Sequence, residues 1–258
     1  MGAICVSSLY EKGELSKNEA EMLLAYSNNA GPVFIISAIG VSLLSNYKTG
    51  VILYLIHITT SLFYGLILKY FKKENSSRFL YPSRDEKNEY LLDLGNTITK
   101  TIESTFKICG FIVIFSVITS AIPDSVFKPY ITAFLEISAG IKEISIKENT
   151  FTLPLISAFL SFSGVSVMAQ VSAVTKGLSL KHYIIGKSIQ ACLSFLFTYI
   201  IMLIFPEVLP VFSPDTTLFY HIPTERELIY SSLITIIFGV LAILLLGLIG
   251  KIADRFDD

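Results

Sequence analysis

This chain is poor in charge. Only 16% of its 258 residues are Asp, Glu, Lys or Arg, whereas a soluble domain carries about 25%, so there are too few to cover a water-facing surface. The net charge is −1, with no large basic patch, which removes the electrostatic footprint of nucleic-acid binding. Cysteine is scarce too: Cys5, Cys109 and Cys192 are scattered and no CxxC occurs. With only three histidines and no ligand spacing, neither a disulfide frame nor a metal site is expected, and the cysteines read as small buried hydrophobes. The first 20 residues are polar and charged, unlike a signal peptide. The apolar runs do not alternate, as membrane β-strands would.

What is present is long uncharged sequence. Six runs, 22–47, 49–68, 108–123, 149–175, 188–206 and 228–250, contain no Asp, Glu, Lys or Arg. A spanning helix needs roughly 20 mainly apolar residues. Most of the runs fit that length, 108–123 falls just short, and the first and fourth exceed it. The fold class expected is an all-α polytopic membrane protein.

Within the chain, 6–26 reads as an amphipathic helix, with Ser16 and Glu19 placed as a capping box. The first long run breaks at 27–32, Ser-Asn-Asn-Ala-Gly-Pro, where Asn and Gly favour turns and Pro suits a helix start. A half-helix is expected from Pro32 to about Leu44. An ordinary span follows over 50–68. An interfacial helix is expected near 89–106 and a short span over 108–122, closed by Pro123. Segment 134–140 reads as an interfacial or re-entrant piece. The fourth run breaks at 161–166, Ser-Phe-Ser-Gly-Val-Ser. Spans at 188–205 and 228–250 complete the chain, around a loop at 207–227.

The halves resemble each other. Runs of 26, 20 and 16 residues are followed by runs of 27, 19 and 23, the long and broken one first each time. A shift of 133 places Gly31 on Gly164, Ser37 on Gln170, Lys48 on Lys181, His57 on Gln190 and Ser61 on Ser194. Repeat one is taken as about 6–123 and repeat two as about 130–250, within a single transmembrane domain. Loop 176–187 has three Lys and no acid, whereas 207–227 has one Arg and four acids. Basic loops stay cytoplasmic, so both termini are expected inside, and three crossings per half invert the second repeat. Paired broken helices in inverted repeats point to a transporter and its binding site. A long run that turned back as a hairpin would change this parity.

Irregular backbone at membrane depth must be buried in protein or line an aqueous cavity. Half-helices starting at Pro32 and near Val165 would aim free N–H groups and positive dipole ends at the breaks. Asn28, Asn29, Gly31, Ser163, Gly164, Ser166 and Gln170 are therefore the expected substrate-binding residues. His57 and Glu136 are read as coupling groups or as structural ones. No nucleophile–base pair, HExxH or paired carboxylate lies in the spans, so neither an enzyme nor a cofactor is expected.

The stretches SNNAGPVFIISAIG, preceded by LYEKGELSKNEAEMLL, and FSGVSVMAQVSAVTKGLSLKHYIIGKSIQA resemble two signatures of the YlbJ-type (SpoVV) sporulation integral membrane proteins. The resemblance runs from Leu9 to about Leu248. It implies a nucleoside-recognition (Gate) domain, an architecture similar to concentrative nucleoside transporters, and further spans ahead of the LYEKG helix. It also implies transport of a small organic anion, dipicolinic acid, across the outer forespore membrane of a sporulating bacterium. The partners expected are that solute, the lipid bilayer and other sporulation membrane proteins. Family residues carry over at 27–32, 163–165 and 169–170. A nucleoside-like solute and a non-transporting scaffold of a sporulation complex are the alternatives.

Overall fold

The fold is a computed structural model that describes residues 2–71, 94–146 and 149–205. Every regular element among the described residues is a helix. In order they are α1 (Gly2–Glu11), α2 (Lys17–Ser27), a π-helix (Val33–Leu43), α3 (Tyr47–Phe71), α4 (Leu94–Ser120), α5 (Lys128–Leu135), α6 (Ile137–Ser145), α7 (Thr152–Phe162), α8 (Gly164–Val174) and α9 (Lys181–Ile204). Among the described residues four stretches are long and apolar enough to cross a membrane: Tyr47–Leu68, Ile102–Ser120, Thr152–Val174 and Lys181–Ile204. The all-α membrane reading holds. The expected span at 228–250 and the loop at 207–227 lie outside the described residues.

Two expectations about local structure are corrected. The helix expected over 6–26 is two helices. Gly13 has φ +74°, a left-handed conformation open to glycine at little cost, and it closes α1 through a bond from its N–H to the Tyr10 carbonyl at 3.0 Å. The capping box then starts α2 afresh, with Ser16 Oγ accepting from the Glu19 N–H and the Glu19 carboxylate accepting from the Ser16 N–H. An amphipathic pattern that continues across a tight turn hides it. The second correction concerns 94–120, which is one continuous helix with no joint between an interfacial piece and a span. Gly110 costs a helix only about 1 kcal/mol, far less than exposing backbone polar groups to lipid.

Burial divides the helices. α7 and α8 form the centre, with 78% of their span window buried, while only 6% of the α4 window is. Ile102, Phe106, Val113 and Val117 of α4 are exposed, which suits a helix solvated by lipid tails. Around α7, Ile35, Ile39, Leu53, Ile141, Ile156 and Phe159 form one buried cluster. The π-helix meets α3 backbone to backbone: a Cβ on Gly40 would lie 2.5 Å from the Gly50 Cα. Small residues allow such approaches in membrane helices, where association depends on close packing.

The packing order matters for the site. α1 lies on α2, and α5 on α6, as two helical hairpins. α2, α3 and α7 all pack on α9, and α7 also packs on α3. α1 reaches across to α8, while α6 reaches across to the π-helix. At the start of α5, Lys128 donates a 2.7 Å hydrogen bond to Asp124 and thereby holds that exposed carboxyl below its ordinary range.

Candidate functional site

Both sequence breaks exist, and they differ in construction. Break one runs from Asn28, at φ −89° and ψ 88°, to Gly31, and Pro32 opens the π-helix. Break two is a single step, with Ser163 at φ 73° and Gly164 at φ 76° between α7 and α8. Between them lies a cavity of about 360 Å³, lined in part by Asn28, Gly31, Lys107, Glu136, Ser163 and Gln170. That volume falls at the lower end of small-molecule sites.

Four helix starts converge here. The first turn of α1 contributes Ala3 to the wall, and its N–H donates to Asn28 Oδ1 at 3.3 Å. α6 begins at Glu136, whose carboxylate accepts from the N–H groups of Ser138 at 3.1 Å and Ala139 at 2.7 Å. The π-helix begins beside Gly31 and α8 begins after Ser163, both without a side-chain cap. Such starts carry partial positive charge and unspent N–H donors. The Glu136 carboxylate satisfies two of these donors at α6.

The expected binding residues separate into three groups. Asn28 and Gln170 face the cavity with polar capacity to spare, and Ser163 lines it with its side chain hydrogen-bonded to Tyr183. Asn28 Nδ2 donates to the Tyr183 hydroxyl at 3.1 Å, leaving its second N–H. Gln170 spends one donor on Ser166 Oγ at 3.4 Å, and Gly31 leaves open space. Asn29 contributes to the wall but spends its amide inside the protein. Its Nδ2 donates to the Tyr26 carbonyl and to Ser61 Oγ, both at 2.8 Å, and its Oδ1 accepts from Lys187 Nζ at 2.9 Å and from Gln190 Nε2 at 3.5 Å. Gly164 and Ser166 are buried off the wall, as is His57, which was read as a coupling or structural residue. A Cβ on Gly164 would meet the Phe134 carbonyl at 3.4 Å, so this position holds the α5–α6 hairpin against the break.

His57 joins the two breaks. Its Nε2 accepts from the Ala30 N–H in break one at 3.3 Å, and its Nδ1 lies 3.1 Å from Ser161 Oγ, two residues before break two. A backbone N–H only donates, so Nε2 is the acceptor and the ring proton sits on Nδ1, donated to Ser161. Ser161 then donates to Ser194 at 2.6 Å and Ser194 to Thr60 at 2.9 Å. Thr60 ends the chain at the Ile56 carbonyl, also at 2.9 Å.

The sporulation integral membrane protein YlbJ of Bacillus subtilis strain 168 is 24% identical to this chain over 244 residues, covering 78% of the chain and 60% of the relative. The YlbJ-type resemblance stands. The chain thus spans less than two thirds of that relative's length. No family model matches the chain, and no solved structure matches it.

The YlbJ-type motifs named the breaks but not Lys187, which lies inside the second motif and is wholly buried. Counting charged residues as span boundaries assigned it to the loop 176–187. Yet α9 begins at Lys181, so Lys187 is more than one turn inside the helix. Its spacing from Gln190, one turn later, was the available signal. Glu21 was missed as well. It is buried on α2 and accepts from the Ser179 N–H at 2.8 Å, anchoring the loop that starts α9. Lys107 of α4 reaches the cavity wall because α4 runs straight past α8.

Proposed function

We propose that this chain is part of a membrane carrier that moves a small organic anion, dipicolinic acid foremost, across the outer forespore membrane during sporulation. The observation that carries this reading is the cavity of about 360 Å³ that both helix breaks line. Two uncapped helix starts and the spare amide donors of Asn28 and Gln170 suit carboxylate groups. Dipicolinate is a compact aromatic diacid that such a cavity accommodates.

The carrier reading includes an inverted repeat of the Gate type, with both termini cytoplasmic. Helices of 10, 11, 11 and 25 residues, from α1 to α3, match helices of 9, 11, 11 and 24 residues, from α6 to α9. The reciprocal packing supports it too: α1 touches α8 as α6 touches the π-helix, and α2 touches α9 as α7 touches α3. Exchanged contacts of this kind are what a two-fold relation between halves produces. Two halves rocking about a central site would alternate its access.

A nucleoside-like neutral solute is the second reading, favoured by the Glu136 carboxylate on the wall, which repels anions. Vesicles containing the purified protein, offered labelled dipicolinate or labelled uridine, separate the two. Dipicolinate uptake that falls at least tenfold in Gly31→Leu, with unchanged thermal melting, is the expected result. Uptake of uridine alone would transfer the function to the second reading. Uptake of neither would leave the scaffold role.

A further inference from the structure

Lys187 is the buried charge that the cavity's own wall does not explain. It is wholly buried within a candidate span, where an ionisable side chain is costly and its position calls for a reason. Its surroundings suit an ammonium. Nζ donates to Asn29 Oδ1 at 2.9 Å and to Gln190 Oε1 at 3.0 Å, and it lies 5.8 Å from the centre of the Tyr183 ring. Two carbonyl-type acceptors and one aromatic face account for the three N–H bonds of an ammonium. Among the described residues Lys187 makes no ion pair. The buried carboxylates nearby in the fold are committed elsewhere: Glu21 to the Ser179 N–H with His182 beside it, and Glu136 to the start of α6. The other basic group at the cavity, Lys107, lies on the wall itself from the exposed side of α4, away from break one, where Lys187 is the cation.

We infer that Lys187 sets the charge preference of the cavity: its ammonium, held one amide behind the wall at Asn29, is the fixed positive charge that a bound anion meets at break one. Asn29 is the relay. It belongs to the cavity wall while its Oδ1 faces Nζ, so the wall at break one rests on a cation that no carboxylate neutralises. A charge in such surroundings acts over several ångströms with little screening. A carboxylate entering from the cavity supplies the missing counter-charge, and a neutral solute of the same shape gains nothing from it. This inference rests on the carrier reading and adds to it the residue that discriminates by charge.

The test compares two probes of one shape, dipicolinate and the uncharged pyridine-2,6-dicarboxamide, in vesicles of the purified full chain. In Lys187→Gln, which keeps a donor toward Asn29, the ratio of dipicolinate to dicarboxamide uptake falls at least ~10-fold. The change lies in KM for dipicolinate, while dicarboxamide uptake stays constant. Lys187→Arg retains the ratio. Lys187→Met, uncharged and of similar length, lowers the ratio as Lys187→Gln does, and it decides the matter if Lys187→Gln does not fold. An unchanged ratio in a folded Lys187→Gln or Lys187→Met overturns the inference, as does an equal loss in Lys187→Arg and Lys187→Gln. If the unaltered protein carries both probes equally, the inference fails and the carrier reading survives. If it carries neither, both fail.

Discussion

The two helix breaks face one cavity and are held open by different physics. Break one is held by side chains: Asn28 ties it to α1 and α9, Asn29 to α2, α3 and α9, and His57 caps its Ala30 N–H. Break two is held by backbone conformation, two successive residues with positive φ pressed against the α5–α6 hairpin. A break fixed by a buried polar network depends on chemistry and fails when one partner is lost. A break fixed by φ depends on shape and fails when a Cβ appears where none fits. The comparison also separates the charges. A buried lysine stands behind break one and a buried glutamate stands beside break two.

The largest effect is expected where chemistry is the support. Asn29→Ala removes an acceptor from Lys187 and Gln190 and the donors to Tyr26 and Ser61 at once. Each partner keeps one other bond, Ser61 to the Tyr26 carbonyl, Gln190 to the His57 carbonyl and Lys187 to Gln190. A lost hydrogen bond still costs about 1 kcal/mol, and roughly 1.5–3 kcal/mol when one group is charged, so a total loss of about 3 kcal/mol or more is expected. Thermal unfolding of the purified protein in detergent measures it. A loss below about 1 kcal/mol would mean that break one is not held by this network.

A pair of glycine substitutions gives the next largest effect and turns the comparison around. Gly164→Ala places a Cβ at φ 76°, 3.4 Å from the Phe134 carbonyl. An L-residue in the left-handed region costs roughly 1–2 kcal/mol, and the hairpin has to move as well. Gly31→Ala meets nothing within 4 Å and has no positive φ. At a compatible backbone, the smaller entropy of the unfolded chain stabilises alanine by about 0.5 kcal/mol. The same detergent unfolding assay should therefore show the two alanines shifting stability in opposite directions. Equal losses would remove the distinction between the breaks.

Much of this was legible in the sequence, for identifiable reasons. Both breaks announce themselves because Asn, Gly, Ser and Pro interrupt uncharged runs, and the Ser16–Glu19 box starts a helix where its spacing says. Other features depend on information that hydropathy does not carry. The i→i+5 register of the π-helix is a matter of backbone hydrogen bonding. Which of two adjacent wall asparagines keeps an amide donor for the cavity follows from the backbone path through the break, so Asn28 and Asn29 looked equivalent. Lys187 was hidden by the rule that found the spans, since a charged residue was taken to end one. Its position becomes clear only once Asn29, far away in sequence, supplies the oxygen that holds it.

The smallest expected effect concerns charge at break two. Glu136 lies on the cavity wall and caps α6 through both carboxylate oxygens. Glu136→Gln keeps one oxygen to accept from that helix start and loses the negative charge. Caps of this kind are worth about 1 kcal/mol, and an amide retains part of that. The electrostatic effect on the cavity is larger in consequence than in energy. Removing a like charge from the wall should tighten dipicolinate about 3- to 10-fold, read as a lower KM for uptake in vesicles. Uptake of the neutral dicarboxamide should not change, because it carries no charge to repel. Lys187→Gln at the other break shifts the same ratio in the opposite sense. If Glu136→Gln weakens dipicolinate instead, the carboxylate serves the solute directly, as a hydrogen-bond acceptor would serve a neutral nucleoside-like ligand.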